Sequence, residues 1–153
     1  MELIVVIVIL GILAAVALPK FMGLEREARI AAVKSMGGTV MSAAQMAHGV
    51  CMARNCANGN QNLDGNVITF VNGYPNNATI VNLIQSSEGF TRVASRFTKA
   101  GATTTNCWVQ YNQATLGANG IVTPPTLTYN GTVMNPNNAN SVNTINTSLR
   151  NGC

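Results

Sequence analysis

From Leu3 to Leu18 the chain reads Leu-Ile-Val-Val-Ile-Val-Ile-Leu-Gly-Ile-Leu-Ala-Ala-Val-Ala-Leu, with no polar side chain, between Glu2 and Pro19. An apolar helix of this length is long for a globular core and falls short of the roughly 20 residues of a comfortable bilayer span. It is apolar on every face, so it must be surrounded, either by lipid or by copies of itself. A carboxylate stands at its tip. Any account of the chain has to explain both.

Three roles are open to such a run. A cleaved signal peptide needs a basic leading region and a small-residue cleavage site. Here no Lys or Arg leads the run, Glu2 has the wrong sign, and Leu18-Pro19-Lys20 is a poor cleavage site. A simple membrane anchor gives no reason for Glu2. The third role is a helix that sits in the membrane first and packs against copies of itself later. Only 9% of the residues are charged, against roughly 25% in typical soluble domains. Asn, Thr, Gly and Ala take their place, so the surface is polar but mostly uncharged. The net charge of +4 is dispersed, with no basic block of the kind that grips nucleic acid. Four cysteines without a histidine-rich neighbourhood favour disulfides over zinc, and so an extracytoplasmic destination.

Beyond Pro19 the pattern changes to Lys20, Glu25, Arg26, Glu27, Arg29 and Lys34. Glu25 and Arg29 stand one helical turn apart, a pair worth a few tenths of a kcal/mol. Val33, Gly37, Val40, Ala44, Ala47 and Cys51 then recur at helical spacing, a narrow stripe of small residues suited to close approach by a sheet. A helix from Met1 to about Met52 is about 78 Å long. The chain therefore divides into an exposed apolar half-helix, residues 1–23, and a head, residues 24–153, that includes the amphipathic half. His48 is the only histidine, and a lone histidine is read as packing. Met36, Met41, Met46 and Met52 are read the same way. No nucleophile set, carboxylate pair or phosphate loop stands out, so neither catalysis nor a cofactor or metal is expected.

The remainder reads as a small antiparallel sheet with loops. Asn55 to Gly65 is Asn- and Gly-rich and reads as a loop, and Val67 to Asn72 as a strand. Ala78 to Ser86 reads as a short helix, and Arg92 to Lys99 is ambiguous. Asn106 to Asn112 is the strongest strand. Ile121–Thr123 and Thr126–Tyr129, broken by Pro124-Pro125, read as an edge strand or turn. Val142 to Leu149 reads as a last strand. The fold class is α+β: a long N-terminal helix with a sheet on its C-terminal half. Four cysteines allow three pairings. Cys51 and Cys56 bracket the helix end, which favours that bridge and leaves Cys107 and Cys153 to tie the main strand to the C-terminus. By loop entropy the two would contribute about 2 and about 4 kcal/mol.

Glu2-Leu3-Ile4-Val5-Val6, followed by Gly11-Ile12-Leu13-Ala14-Ala15-Val16-Ala17-Leu18-Pro19, resembles the N-terminus of mature type IV pilins. The resemblance covers about the first twenty residues. In that family a peptidase cuts before the apolar segment and methylates the new N-terminus. The family's glutamate lies at the fifth mature position, so the resemblance implies about three residues ahead of Met1. Phe70-Val71-Asn72-Gly73-Tyr74-Pro75 and Cys107-Trp108-Val109-Gln110-Tyr111 are similar to pilins of the mannose-sensitive haemagglutinin type. A C-terminal region bounded by a disulfide resembles the variable surface loop of many pilins.

Two expectations follow at residue level. A carboxylate near the bilayer centre costs on the order of 2.5–3.5 kcal/mol, so Glu2 should find a cation, and in staggered parallel helices that cation is a terminal amine. Glu2 is thus expected to guide subunit docking. Gly and Pro inside a helix cost about 1 and about 3 kcal/mol relative to Ala, which makes Gly11–Pro19 the stretch expected to lose helical hydrogen bonds in a filament. An ordinary proline kink is the alternative. The three Asn-X-Ser/Thr triplets at Asn77, Asn130 and Asn146 are expected by chance in so Asn- and Thr-rich a chain.

The resemblance implies a structural subunit of a type IV pilus, which would serve adhesion or twitching motility. It would be held in the inner membrane, raised by the assembly machinery and polymerised with copies of itself into an extracellular fimbrium. A type II secretion pseudopilin shares the fold; those proteins often carry a calcium site, for which acids are scarce after Asp64 and Glu88. A membrane-anchored extracytoplasmic binding module would form no polymer.

Overall fold

A computed structural model describes residues 2–102, 106–135 and 138–153, apart from the side chains of Met22 and Ala139. Helix α1 spans Glu2–Ala53 without interruption, about 78 Å. Pro19 lies within it, and having no N–H it leaves the Ala15 carbonyl without its helical donor. After α1 come strands β1 (Gly59–Leu63), β2 (Asn66–Val71) and β3 (Tyr74–Pro75), then a single 3-10 turn at Ile80–Leu83. Strands β4 (Phe90–Val93), β5 (Arg96–Lys99) and β6 (Trp108–Asn112) follow. Two-residue strands β7 (Thr115–Leu116) and β8 (Val122–Thr123), then β9 (Thr126–Tyr129) and β10 (Thr132–Val133), lead to helix α2 (Ala139–Gly152).

Among the described residues the strands form three sheets, ordered β1-β2-β3, β10-β9-β6-β5-β4 and β7-β8. The larger sheet packs on α1 because its inward rows are apolar. Phe97 pairs with Val109; Val109 pairs with Tyr129, and Tyr111 with Leu127. All five are buried against Ile30, Val33, Val40 and Ala44 of α1. Ala47 and Cys51, further along α1, pack with Ile68, Phe70 and Cys56 in a second cluster. The fold is α+β, a helix on antiparallel sheets. The small-residue stripe faces the sheet, and Gly37 shows why it is small: a Cβ there would overlap the Tyr129 hydroxyl.

Five sequence readings change. Val142 to Leu149 is not a strand but the middle of α2, capped by Asn138, whose side chain accepts from the Asn140 N–H. Val142, Ile145 and Leu149 repeat at helical spacing, and Ile145 and Leu149 are buried on one face. The Asn55–Gly65 loop contains β1, which pairs along its whole length with β2. The helix read over Ala78–Ser86 shrinks to the 3-10 turn. The ambiguous Arg92–Lys99 stretch is a hairpin, in which Val93 pairs with Arg96 and Ala94 takes φ +49°. Ile121–Thr123 and Thr126–Tyr129 resolve into β8 and β9, and β9 is an interior strand between β6 and β10.

Candidate functional site

The largest functional feature is what the fold leaves uncovered. Burial on α1 begins at Ile30. Before it, Leu3, Ile4, Val5, Val6, Ile7, Val8, Ile9, Leu10, Ile12, Leu13, Val16, Leu18, Phe21 and Leu24 are all more than half exposed. At about 1.5–3 kcal/mol for each such side chain buried from water, leaving them wet would cost on the order of 20 kcal/mol or more. The half-helix therefore belongs in lipid or against other apolar surface. Its first turn carries the exposed Glu2. Gly11 has nothing within 4 Å of where a Cβ would lie, so its place in the helix is not explained by packing within the chain. In the single chain Gly11–Pro19 is helical throughout.

The head is tied to the lower part of α1 by polar contacts from α2. Arg150 pairs with Glu27 at 3.0 Å, an exposed pair worth at most about 1 kcal/mol. Arg29 pairs with Glu25 and donates to the Cys153 carbonyl at 3.4 Å. Lys34 donates to Asn146. Cys51 is bonded to Cys56 and Cys107 to Cys153, with Cα separations of 4.9 and 4.6 Å. The first closes the exit from α1. The second fastens the end of α2 beside β6, where Asn130 and Ser148 exchange hydrogen bonds of 2.9 and 3.0 Å.

Two buried tyrosines pack the larger sheet into the core against α1, and one of them also reaches β3. The Tyr111 hydroxyl donates to the Pro75 carbonyl at 2.9 Å. Burial pushes its pKa well above the ordinary value, and Tyr74 nearby adds to that. Burial raises Tyr129 as well. His48 stacks on Tyr74 with ring centroids 3.9 Å apart, and its Nδ1 lies 2.7 Å from the Gly73 carbonyl, so the Nδ1–H donates. It packs the turn between β2 and β3. The amides of the three Asn-X-Ser/Thr triplets are engaged within the fold: Asn77 with Gln113, Asn130 with Ser148, and Asn146 with Lys34. Among the described residues no group of three His, Cys, Asp or Glu side chains could hold a metal.

Sequence reasoning placed the half-helix and the cysteines. The clamp from α2 has a weaker signal, the helical spacing of Val142, Ile145 and Leu149 within an Asn- and Thr-rich segment that also reads as a strand. Sequence reasoning misses two grooves that flank α1, since neither leaves a local pattern. Comparison with known protein families, curated proteins and solved structures returns no match for this chain. The long N-terminal helix, the small antiparallel sheet and the disulfides are compatible with a pilin-like fold. α1 is the one helix among the described residues that is long and apolar enough to cross a membrane.

Proposed function

We propose that the chain is the building block of a helical surface filament, a structural subunit without catalytic activity. One observation carries the reading: an apolar half-helix, bare on every face, continues without a break into a helix that is one wall of a disulfide-closed head. A membrane anchor alone would not need so long and unbroken a coupling between the two. Heads held on parallel half-helices leave an apolar bundle at the centre and a sparsely charged, Asn- and Thr-rich shell outside.

The particular protein is, in our reading, a type IV pilin. The N-terminal resemblance supports this, together with the position of Glu2 ahead of the apolar run. The subunit waits in the inner membrane through Leu3–Leu18, is raised by the assembly machinery, and docks with Glu2 against a neighbour's terminal amine. In the polymer, Gly11–Pro19 is the segment that gives up helical hydrogen bonds, because Pro19 already lacks one and Gly11 adds none of the rigidity of a side chain. The test is negative-stain microscopy of material sheared from the cell surface, with mass spectrometry of the filaments. This chain should be their bulk protein. Its presence only in the membrane fraction would refute the reading.

A further inference from the structure

α1 divides the head into two flanks. On one, Lys34, Gly38, Met41 and Gln45 line a groove of about 770 Å3 whose other wall includes Pro124 and Pro125. On the other, Met46, Val50, Leu83 and Ile84 line a groove of about 840 Å3 whose wall also includes the opposite charges Arg54 and Asp64. At 3.6 residues per turn the α1 residues of these two sets fall on opposite sides of the buried stripe. The second groove is open: Met46 is 70% exposed.

The β7–β8 hairpin stands off the head on the first flank, because Thr123, Pro124 and Pro125, which lead out of β8, wall the first groove. Every residue from Thr115 through Pro124 is exposed. Leu116 and Ile121 are 60% and 65% exposed, and Val122, which faces Leu116 across the hairpin, is 37% exposed. The two strands pair only with each other, and an isolated two-stranded hairpin is marginal in water. No charged residue lies between Lys99 and Arg150. A chain of net charge +4 can therefore bring this hairpin against another copy without like-charge repulsion.

We propose that, in the filament, the hairpin of one copy packs Leu116, Ile121 and Val122 into the Met46 groove of the next. The inference rests on the filament reading and names the head contact within it. Donor and acceptor lie on opposite flanks, so the contact is heterologous and repeats without closing. Size selects the occupant. Three side chains cannot supply the roughly 1,000 Å2 that a free-standing interface needs. A copy already held by its half-helix is presented at high effective concentration, and only such a partner gains from so small a contact. The acceptor groove also runs along α1 itself, continuous with the helix that makes the main contact.

The test uses full-length chain and sheared filaments. The native cysteines are all in disulfides, so an added pair reports alone. Ile121→Cys with Met46→Cys, treated with a short bifunctional maleimide, should give a ladder of covalent multimers. Ile121→Cys with Met41→Cys, on the wrong flank, should give none. Ile121→Glu should lower filament yield at least fivefold with the folded head retained by circular dichroism, and Ile121→Val should leave it unchanged. A ladder through Met41, filaments with no ladder through Met46, or full yield from Ile121→Glu would overturn the docking alone. Failure of the wild-type chain to polymerise would overturn the filament reading and the docking together.

Discussion

Adjacent glycines in α1 give a test with opposite signs. Gly38 is exposed, with nothing within 4 Å of a built Cβ. Gly38→Ala should therefore show the bare gain in helix propensity, about 1 kcal/mol. Gly37, one residue earlier, is buried. A Cβ there would overlap the Tyr129 hydroxyl and lie 3.2 Å from Leu127 Cδ1. Tyr129 is 5% exposed and Leu127 4%, and both are fixed in register beside β6, so neither side chain can swing into solvent. Overpacking of this kind costs typically about 1–3 kcal/mol. Set against the same propensity gain, Gly37→Ala should lose up to about 2 kcal/mol. The assay is thermal unfolding of the full-length chain in a non-ionic detergent, followed by the fluorescence of Trp108. At roughly 2–4 °C per kcal/mol for a chain of this size, the two variants should melt on opposite sides of the wild type. If Gly37→Ala were as stable as Gly38→Ala, the close approach of helix and sheet at Tyr129 would be wrong.

Replacing Cys107 and Cys153 together by Ser opens a loop of sequence separation 46 and should cost about 4 kcal/mol, read by denaturant midpoint; the Cys51/Cys56 pair, separation 5, should cost about half as much. The raised Tyr111 and Tyr129 pKa values mean the folded state holds those protons more tightly than the unfolded chain. Their contribution is whole below the unfolded tyrosine pKa, about 10, and is lost as pH rises from there through the folded values. Thermal stability should therefore fall steeply above about pH 10, and less steeply in Tyr111→Phe. Glu2→Ala should leave the chain in the membrane fraction at normal abundance but sharply reduce filament yield, measured by shearing and immunoblot. Wild-type yield would remove Glu2 from the docking step.

Much of this architecture was legible because its signals are local and repeated. An unbroken apolar run followed by a small-residue stripe at helical spacing can hardly be anything but α1. Cys51 and Cys56 fall at its end, where a short bridge is geometrically easy. Trp108–Asn112 alternates cleanly because its two faces meet helix and solvent. The misreadings came where tertiary context overrides composition. β1, Gly59–Leu63, is mostly polar because it is held chiefly by backbone pairing with β2, so its sequence looks like a loop. α2 is rich in Asn, Ser and Thr, which depress helix propensity, and Ile145 and Leu149, buried against the head, hold it helical. The β4–β5 hairpin turns through Ala94 at positive φ, where Gly, Asn or Asp would have announced the turn. The half-helix was legible as a surface in need of a partner, and Glu2 as its polar tip. The flank grooves were not, since each joins residues far apart in the chain.

The central claim is that the bare half-helix is the core of a polymer. Electron cryomicroscopy of sheared filaments tests it most directly. The account predicts Leu3–Leu18 of each copy packed along the filament axis against the same segment of its neighbours, with Glu2 beside a neighbour's N-terminus and helical density weakened between Gly11 and Pro19. Heads joined to one another with the half-helices absent from the axis, or held outside the filament in lipid or detergent, would contradict it.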